Sequence, residues 1–158
     1  MLNFLSPLLY ITISPELLTI RNLRTGTVIS EVPEIAISDS PKPKILGVGA
    51  MARTAAISEP SKVLNPFAHP RTMVSDFAMA EQLLKYQVRQ SVGKSFFSAS
   101  PRILLHPLGD PAGGFTQVEL RAFRELALGA GASQMYLKTG APLTDEELRA
   151  ISAKGTLE

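Results

Sequence analysis

Over the first third of the chain, apolar residues fall in short runs at 8–13, 17–22, 27–30, 34–38 and 44–48, each closed by Pro, Gly, Asn or Ser. Runs of this length, rich in Ile, Val, Leu and Thr, predict extended strands joined as an antiparallel meander. The turn Arg24-Thr25-Gly26-Thr27 sets a glycine where a tight hairpin needs positive φ, and Asp39-Ser40-Pro41-Lys42-Pro43 predicts a stiff polar loop. The pattern then breaks over 53–71, where Asn65-Pro66 and His69-Pro70 hold the backbone off helix. A long excursion with at most one short helix is expected there, with 50–74 forming part of a small inserted subdomain.

From Ser75 the period changes. Phe77, Ala80, Leu84 and Val88 recur at helical spacing behind Ser75 as the expected N-cap, with Glu81, Lys85 and Arg89 as an exposed ion-pair stripe. Ile103-Leu104-Leu105 is apolar enough for a strand buried on both faces. A glycine-rich loop at 109–114 precedes Thr116 and Glu119, which have capping-box spacing, and Val118, Ala122, Leu126 and Ala130 form the predicted buried stripe of the helix they open. Gly129 and Gly131 end that helix; 134–138 is a further strand, and Thr144 with Glu147 opens a last helix over 145–153.

Composition narrows the function. With 158 residues, 45% hydrophobic and 19% charged, the chain has the balance of one folded domain. Sixteen Lys and Arg against fourteen Asp and Glu give a net charge of +2 without a basic run, which argues against nucleic acid as a partner. Cysteine is absent, and His69 and His106 lack clustered carboxylates, so no metal or other cofactor is expected. The apolar start carries Pro7, no basic flank and no small-residue cleavage site, and no stretch reaches the roughly 18 apolar residues of a membrane span. A cytoplasmic protein is expected.

The segment from Ser100-Pro101-Arg102-Ile103-Leu104-Leu105 through Phe115-Thr116-Gln117-Val118-Glu119-Leu120-Arg121-Ala122 to Gly129-Ala130-Gly131-Ala132 resembles the MreB family's strand, glycine turn, T-x-V-E-R-R-A-type helix and G-A-G-A stop. Upstream, Ile45-Leu46-Gly47-Val48-Gly49-Ala50-Met51-Ala52 is similar to the family's A-V-G-x-x-A stretch, and Val74-Ser75-Asp76-Phe77 to its I-A-D-F helix start. The resemblance implies an α/β fold of the actin-like, ribonuclease-H type: a mixed five-stranded sheet with helices and a small inserted subdomain. It also implies that residues 1–158 form a single first lobe, ending where the family's second large domain would begin.

The same resemblance locates a nucleotide site and shows it altered. Actin-family ATPases use an acidic D-x-G-T hairpin near the N-terminus; here Thr12 stands for the aspartate, Ser14 for the glycine, and Pro15 removes a phosphate-binding N–H. Glu16 is the one carboxylate left to substitute. The family's water-activating E-E-P segment matches Lys138-Thr139-Gly140-Ala141-Pro142, which has no carboxylate to serve as general base. The loop at 109–114 lacks a phosphate-loop pattern, and His106 suggests a hydrogen-bonded filler more than a catalyst. No catalytic, cofactor-binding or metal-binding residue is therefore assigned, and the chain is read as a nonenzymatic module. The alternative is a residual ATP-binding or hydrolysing protein completed by dimerisation.

Two surfaces remain. In MreB proteins the loop matching 93–101 carries an apolar pair that enters the inner membrane; Phe96 and Phe97 resemble it, with Lys94 and Arg102 available to anionic lipid head groups. Both rings folding back onto the domain is the other reading, and Leu2, Phe4, Leu5 and Leu8 are either a second contact or the lead-in to a strand. On the helix after Thr116, Gln117, Arg121, Arg124 and Leu128 face away from the predicted stripe, as a lateral interface or a solvated face. The expected partners are an MreB-type filament, the chain itself or anionic inner-membrane lipid, with a peripheral place at that membrane.

Overall fold

The computed structural model describes residues 6–93 and 99–154. Its main sheet holds β1 (Leu8–Ile13), β2 (Leu18–Asn22), β3 (Val28–Glu31), β7 (Arg102–Pro107) and β8 (Gln134–Leu137) in the order β3-β2-β1-β7-β8. β1 to β3 are antiparallel, while β7 and β8 run parallel to β1. This is the mixed five-stranded arrangement that the resemblance implies.

β1 is the hub because it is apolar on both sides. Leu9, Ile11 and Ile13 join Leu18, Ile20, Ile103 and Leu105 in a cluster roofed by α2 (Phe77–Val92) and α3 (Gln117–Gly129). Leu8, Tyr10 and Leu104 face the other way and meet Leu148 of α4 (Asp145–Lys154), with Leu143 and Ile151 packed around them. The predicted two-sided burial of 103–105 extends over the whole of β7. Asn22 closes the first hairpin: its Oδ1 accepts from the N–H groups of Arg24 and Thr25, and Gly26 takes φ +78°.

The sequence pattern misplaced some elements. β4 (Ile35–Ser38) and β5 (Ile45–Val48) leave the meander and join β6 (Ser61–Leu64) in a second sheet of order β5-β4-β6. β6 lies inside the Pro-rich excursion and shows little alternation, which hid it. The small sheet thus begins at Ile35 and takes in β6 from the 50–74 segment, which also carries the short helix α1 (Ala52–Ala55). Asp76, not Ser75, caps α2, accepting from the Met79 N–H, while Ser75 Oγ donates to the Pro66 carbonyl. Phe77 is exposed, and Leu83, Gln87 and Ser91 join Ala80, Leu84 and Val88 on the buried face. Glu81 is not part of an ion-pair stripe: it lies against Gly129, where a Cβ would collide with its carboxylate, so α2 and α3 approach closely. On α3, Val118 is 78% exposed; the buried stripe is Phe123, Leu126, Ala127 and Ala130, with Ala122 half-buried. That stripe keeps Leu126 and Ala130 of the predicted one and turns from Val118 toward Phe123, the larger apolar side chain.

The two sheets are joined through Glu31. Its carboxylate accepts from Gln87 Nε2 at 2.8 Å and from the Ala50 N–H at 3.4 Å, tying β3 to α2 and to the turn entering α1. Gly49 makes this possible: it has φ +67°, and a Cβ there would strike the Glu31 carboxylate. Gly49→Ala is expected to lower stability by about 2 kcal/mol, from left-handed backbone strain and loss of the Glu31 bonds. Urea unfolding of Gly49→Ala, Glu31→Ala and the double variant checks this; the two losses should be clearly less than additive, because both act on one contact.

Candidate functional site

The carboxyl ends of β1, β7 and β8 point to one edge of the main sheet, where ligands of open α/β sheets bind. Three loops meet there: the 14–17 hairpin, 108–116 and 138–144. Leu17 donates its N–H to Ser14 Oγ at 3.1 Å, and Ser14 donates its N–H to the Leu17 carbonyl at 2.9 Å. The Pro15 carbonyl accepts from Asn65 Nδ2 at 2.7 Å, which ties the hairpin to the segment after β6. Pro15 has no N–H, so the hairpin directs little donor capacity outward. Thr12 is held within β1, opposite Thr19 and His106, and Glu16 is exposed.

The other two loops enclose an open depression of about 700 Å³, lined by Leu108, Asp110, Pro111, Phe115, Gly140 and Pro142 among others. Asp110 is the one titratable residue in its lining. The α3 N-terminus beside it is already satisfied: Thr116 Oγ1 accepts from the Glu119 N–H at 3.1 Å, and Glu119 Oε2 accepts from the Thr116 N–H at 2.8 Å. A carboxylate thus occupies the place an anion would take. Thr144 and Glu147 repeat the device on α4, where the bonds from Thr144 hold the Glu147 carboxyl below its usual range.

Behind the depression, His106 is fully buried. Tyr10 Oη lies 2.8 Å from its Nδ1, and its Nε2 lies 2.9 Å from the Gly140 carbonyl. Burial lowers its pKa from the usual 6.5, the Gly140 bond opposes that, and the nearby Lys138 adds to it. The neutral ring is therefore favoured, and it is bonded at both nitrogens.

Among the described residues, no group of three or more His, Cys, Asp or Glu could hold a metal ion. No described helix is long and apolar enough to cross a membrane. Phe96, Phe97 and Lys94 lie outside the described residues. Arg102 does not share the exposure the lipid reading needs: it is buried in β7, with Nη2 turned toward the Ser6 carbonyl at 3.5 Å.

The outer face of α3 is different in character. Gln117, Arg121, Arg124 and Leu128 are all exposed, and Val118 and Glu125, which the sequence reading left out of that face, are exposed beside them. Val118, Arg121, Glu125 and Leu128 are spaced three, four and three apart, so they form one stripe. The mis-set stripe hid Val118; its exposure is the signal that α3 turns an apolar residue outward.

The sequence model of the MreB/Mbl protein family matches residues 18–145. The cell shape-determining protein MreB of Pasteurella multocida is 32% identical over 115 residues, covering 71% of this chain and 32% of that protein. MreB of Escherichia coli strain K12 is 34% identical over 116 residues, and the cell shape-determining protein Mbl of Bacillus cereus 32% over 113. The chain thus spans about a third of the length of these relatives. Among solved structures, MreB5 of Spiroplasma citri bound to ADP superposes with a TM-score of 0.65 at 16% identity, over 85% of this chain and 38% of that one. The fold is actin-like.

Proposed function

We propose, from the premise that this chain belongs to the MreB/Mbl family, that it is a nonenzymatic actin-like module of the cell-shape cytoskeleton, assembling with itself or with an MreB-type filament. In this reading residues 1–158 are one first lobe, and its two sheets are the large and small parts of that lobe. The outer stripe of α3 carries the proposal. When two such helices pair antiparallel about a two-fold axis beside Phe123, Val118 of each meets Leu128 of the other, and Arg121 of each meets Glu125 of the other. Apolar ends and opposite charges therefore match in the same register. Among the described residues Arg121 and Glu125 make no ion pair with each other, so both are available to a second copy.

Support for the nonenzymatic part comes from the strand-end loops. The 14–17 hairpin bonds to itself and to Asn65, Thr12 replaces the acidic residue, and 138–142 holds no carboxylate. Purified protein is expected to bind Mg-ATP no more tightly than millimolar by isothermal calorimetry. Micromolar binding would instead favour the residual ATPase completed by dimerisation.

Arg121→Glu with Arg124→Glu is expected to weaken self-association, or capture by full-length MreB, by about tenfold or more, since reversing Arg121 replaces its attraction to Glu125 by repulsion across the axis and reversing Arg124 adds negative charge beside it. Arg121→Glu with Glu125→Arg should restore it, because the pairs reform with their signs exchanged. Sedimentation velocity distinguishes the three proteins; a strict monomer in all of them, with empty MreB pull-downs, would end the assembly reading.

Attachment to anionic inner-membrane lipid is assigned to Phe96 and Phe97, with Lys94 beside them. Two buried phenylalanines contribute about 3–6 kcal/mol before docking entropy, enough for weak attachment that assembly would reinforce. Phe96→Ser with Phe97→Ser should abolish co-sedimentation with phosphatidylglycerol vesicles while leaving the circular dichroism unchanged. Equal sedimentation of both proteins counts against it.

A further inference from the structure

The bonds around His106 fix which group donates. A carbonyl only accepts, so Nε2 carries the hydrogen given to the Gly140 oxygen at 2.9 Å. In the neutral ring Nδ1 is then bare and accepts the Tyr10 hydroxyl hydrogen at 2.8 Å. The Tyr10 oxygen, in turn, accepts the Leu143 N–H at 3.1 Å. The chain therefore runs from Leu143 through Tyr10 and His106 back to Gly140. Both of its ends land on one short segment, and its middle is buried in β1 and β7.

We propose that this chain is a proton-released latch: neutral His106 holds residues 139–143 against β1 and β7, and protonated His106 lets them go. A second proton on Nδ1 sets two donors against each other at 2.8 Å. The Tyr10 hydroxyl must then turn away, and its oxygen must accept from both the imidazolium and Leu143 while its own hydrogen loses its acceptor inside the core. Burial makes that orphaned donor costly, so the segment moves instead.

Two parts of the molecule follow the segment. Gly140 forms part of the wall of the depression at the strand ends. Leu143 packs in the cluster of Leu8, Tyr10, Leu104 and Leu148 and leads directly into the Thr144 cap of α4. The latch thus couples the shape of the depression to the docking of α4.

Burial sets its direction, and the surrounding charges act alongside. Lys138, at the end of β8, opposes a charge on His106. From α4, Glu147 acts on Tyr10, and from β2, Arg21 does so while paired with Asp145 at 2.7 Å. Among the described residues no carboxylate contacts the imidazole itself to compensate the proton once it arrives. Because the folded value lies below the ordinary 6.5, the unfolded or unlatched chain takes the proton first. The latch is fully present above pH 6.5 and is lost as pH falls below it.

Hydrogen exchange of the full chain tests this, with the Leu143 amide as the reporter. After correction for intrinsic rates, its protection is expected to fall several-fold, up to about tenfold, between pH 7.5 and 5.5, the most that a single proton on a group with an ordinary value of 6.5 allows. His106→Gln donates and accepts without titrating, so its protection should stay constant over that range. Tyr10→Phe should show low protection at both pH values. Constant protection in the wild type, the same pH response in His106→Gln, or a response that persists in Tyr10→Phe would overturn the latch. If His106→Gln does not fold, the wild type and Tyr10→Phe decide between the outcomes.

Discussion

The parallel pairing of β1 with β7 is the constraint on which the rest depends. Leu8 to Ile13 lie in register with Arg102 to Pro107, and both strands are enclosed on both faces. A strand buried on both sides needs a roof on each, so α2 and α3 are recruited to one face and α4 to the other. The same pairing brings Tyr10 beside His106, and it brings the three strand-end loops to one edge. The small sheet shares this core through Ile35 and Val48 and is tied further by Glu31, Gln87 and the turn at Gly49.

At that edge, polar groups are turned inward. Ser14 and Leu17 satisfy each other, Glu119 and Glu147 close the ends of their own helices, and His106 spends both nitrogens on Tyr10 and Gly140. A site that serves an anionic ligand keeps N–H groups unpaired and aimed at it. Here these groups are bonded within the fold, whereas the outer face of α3 turns Val118, Leu128 and charged side chains to solvent.

Much of this was legible in the sequence, for definable reasons. Both capping boxes read true because they depend on residues three apart with fixed chemistry. β1, β7 and β8 read true because continuous apolar runs bounded by turn formers have few other uses. β6 was missed because its run, Ser61-Lys62-Val63-Leu64, is short and its partner β4 is remote in sequence. The division of five early strands between two sheets was equally hidden, since local pattern specifies a strand and not its neighbour. The α3 stripe was set wrongly because Val118 and Phe123 both suit a buried face and only packing against α2 chooses between them. Of the strand-end site, the hairpin at Ser14 and Pro15 was visible, whereas the Tyr10–His106 bond joins residues 96 positions apart and no spacing rule reports it.

That separation also governs the order of events during synthesis. β1 can pair with β2 as soon as the first hairpin is made, but its other edge waits for β7. At roughly 5–20 residues per second, the 96 positions between Tyr10 and His106 take on the order of 5–20 s to emerge. For that interval a strand of sequence Leu-Leu-Tyr-Ile-Thr-Ile, uncharged and β-prone, has one row of backbone groups unclaimed. The nascent chain is therefore exposed to misassociation along the free edge of β1, and the arrival of β7 is the step that ends the exposure.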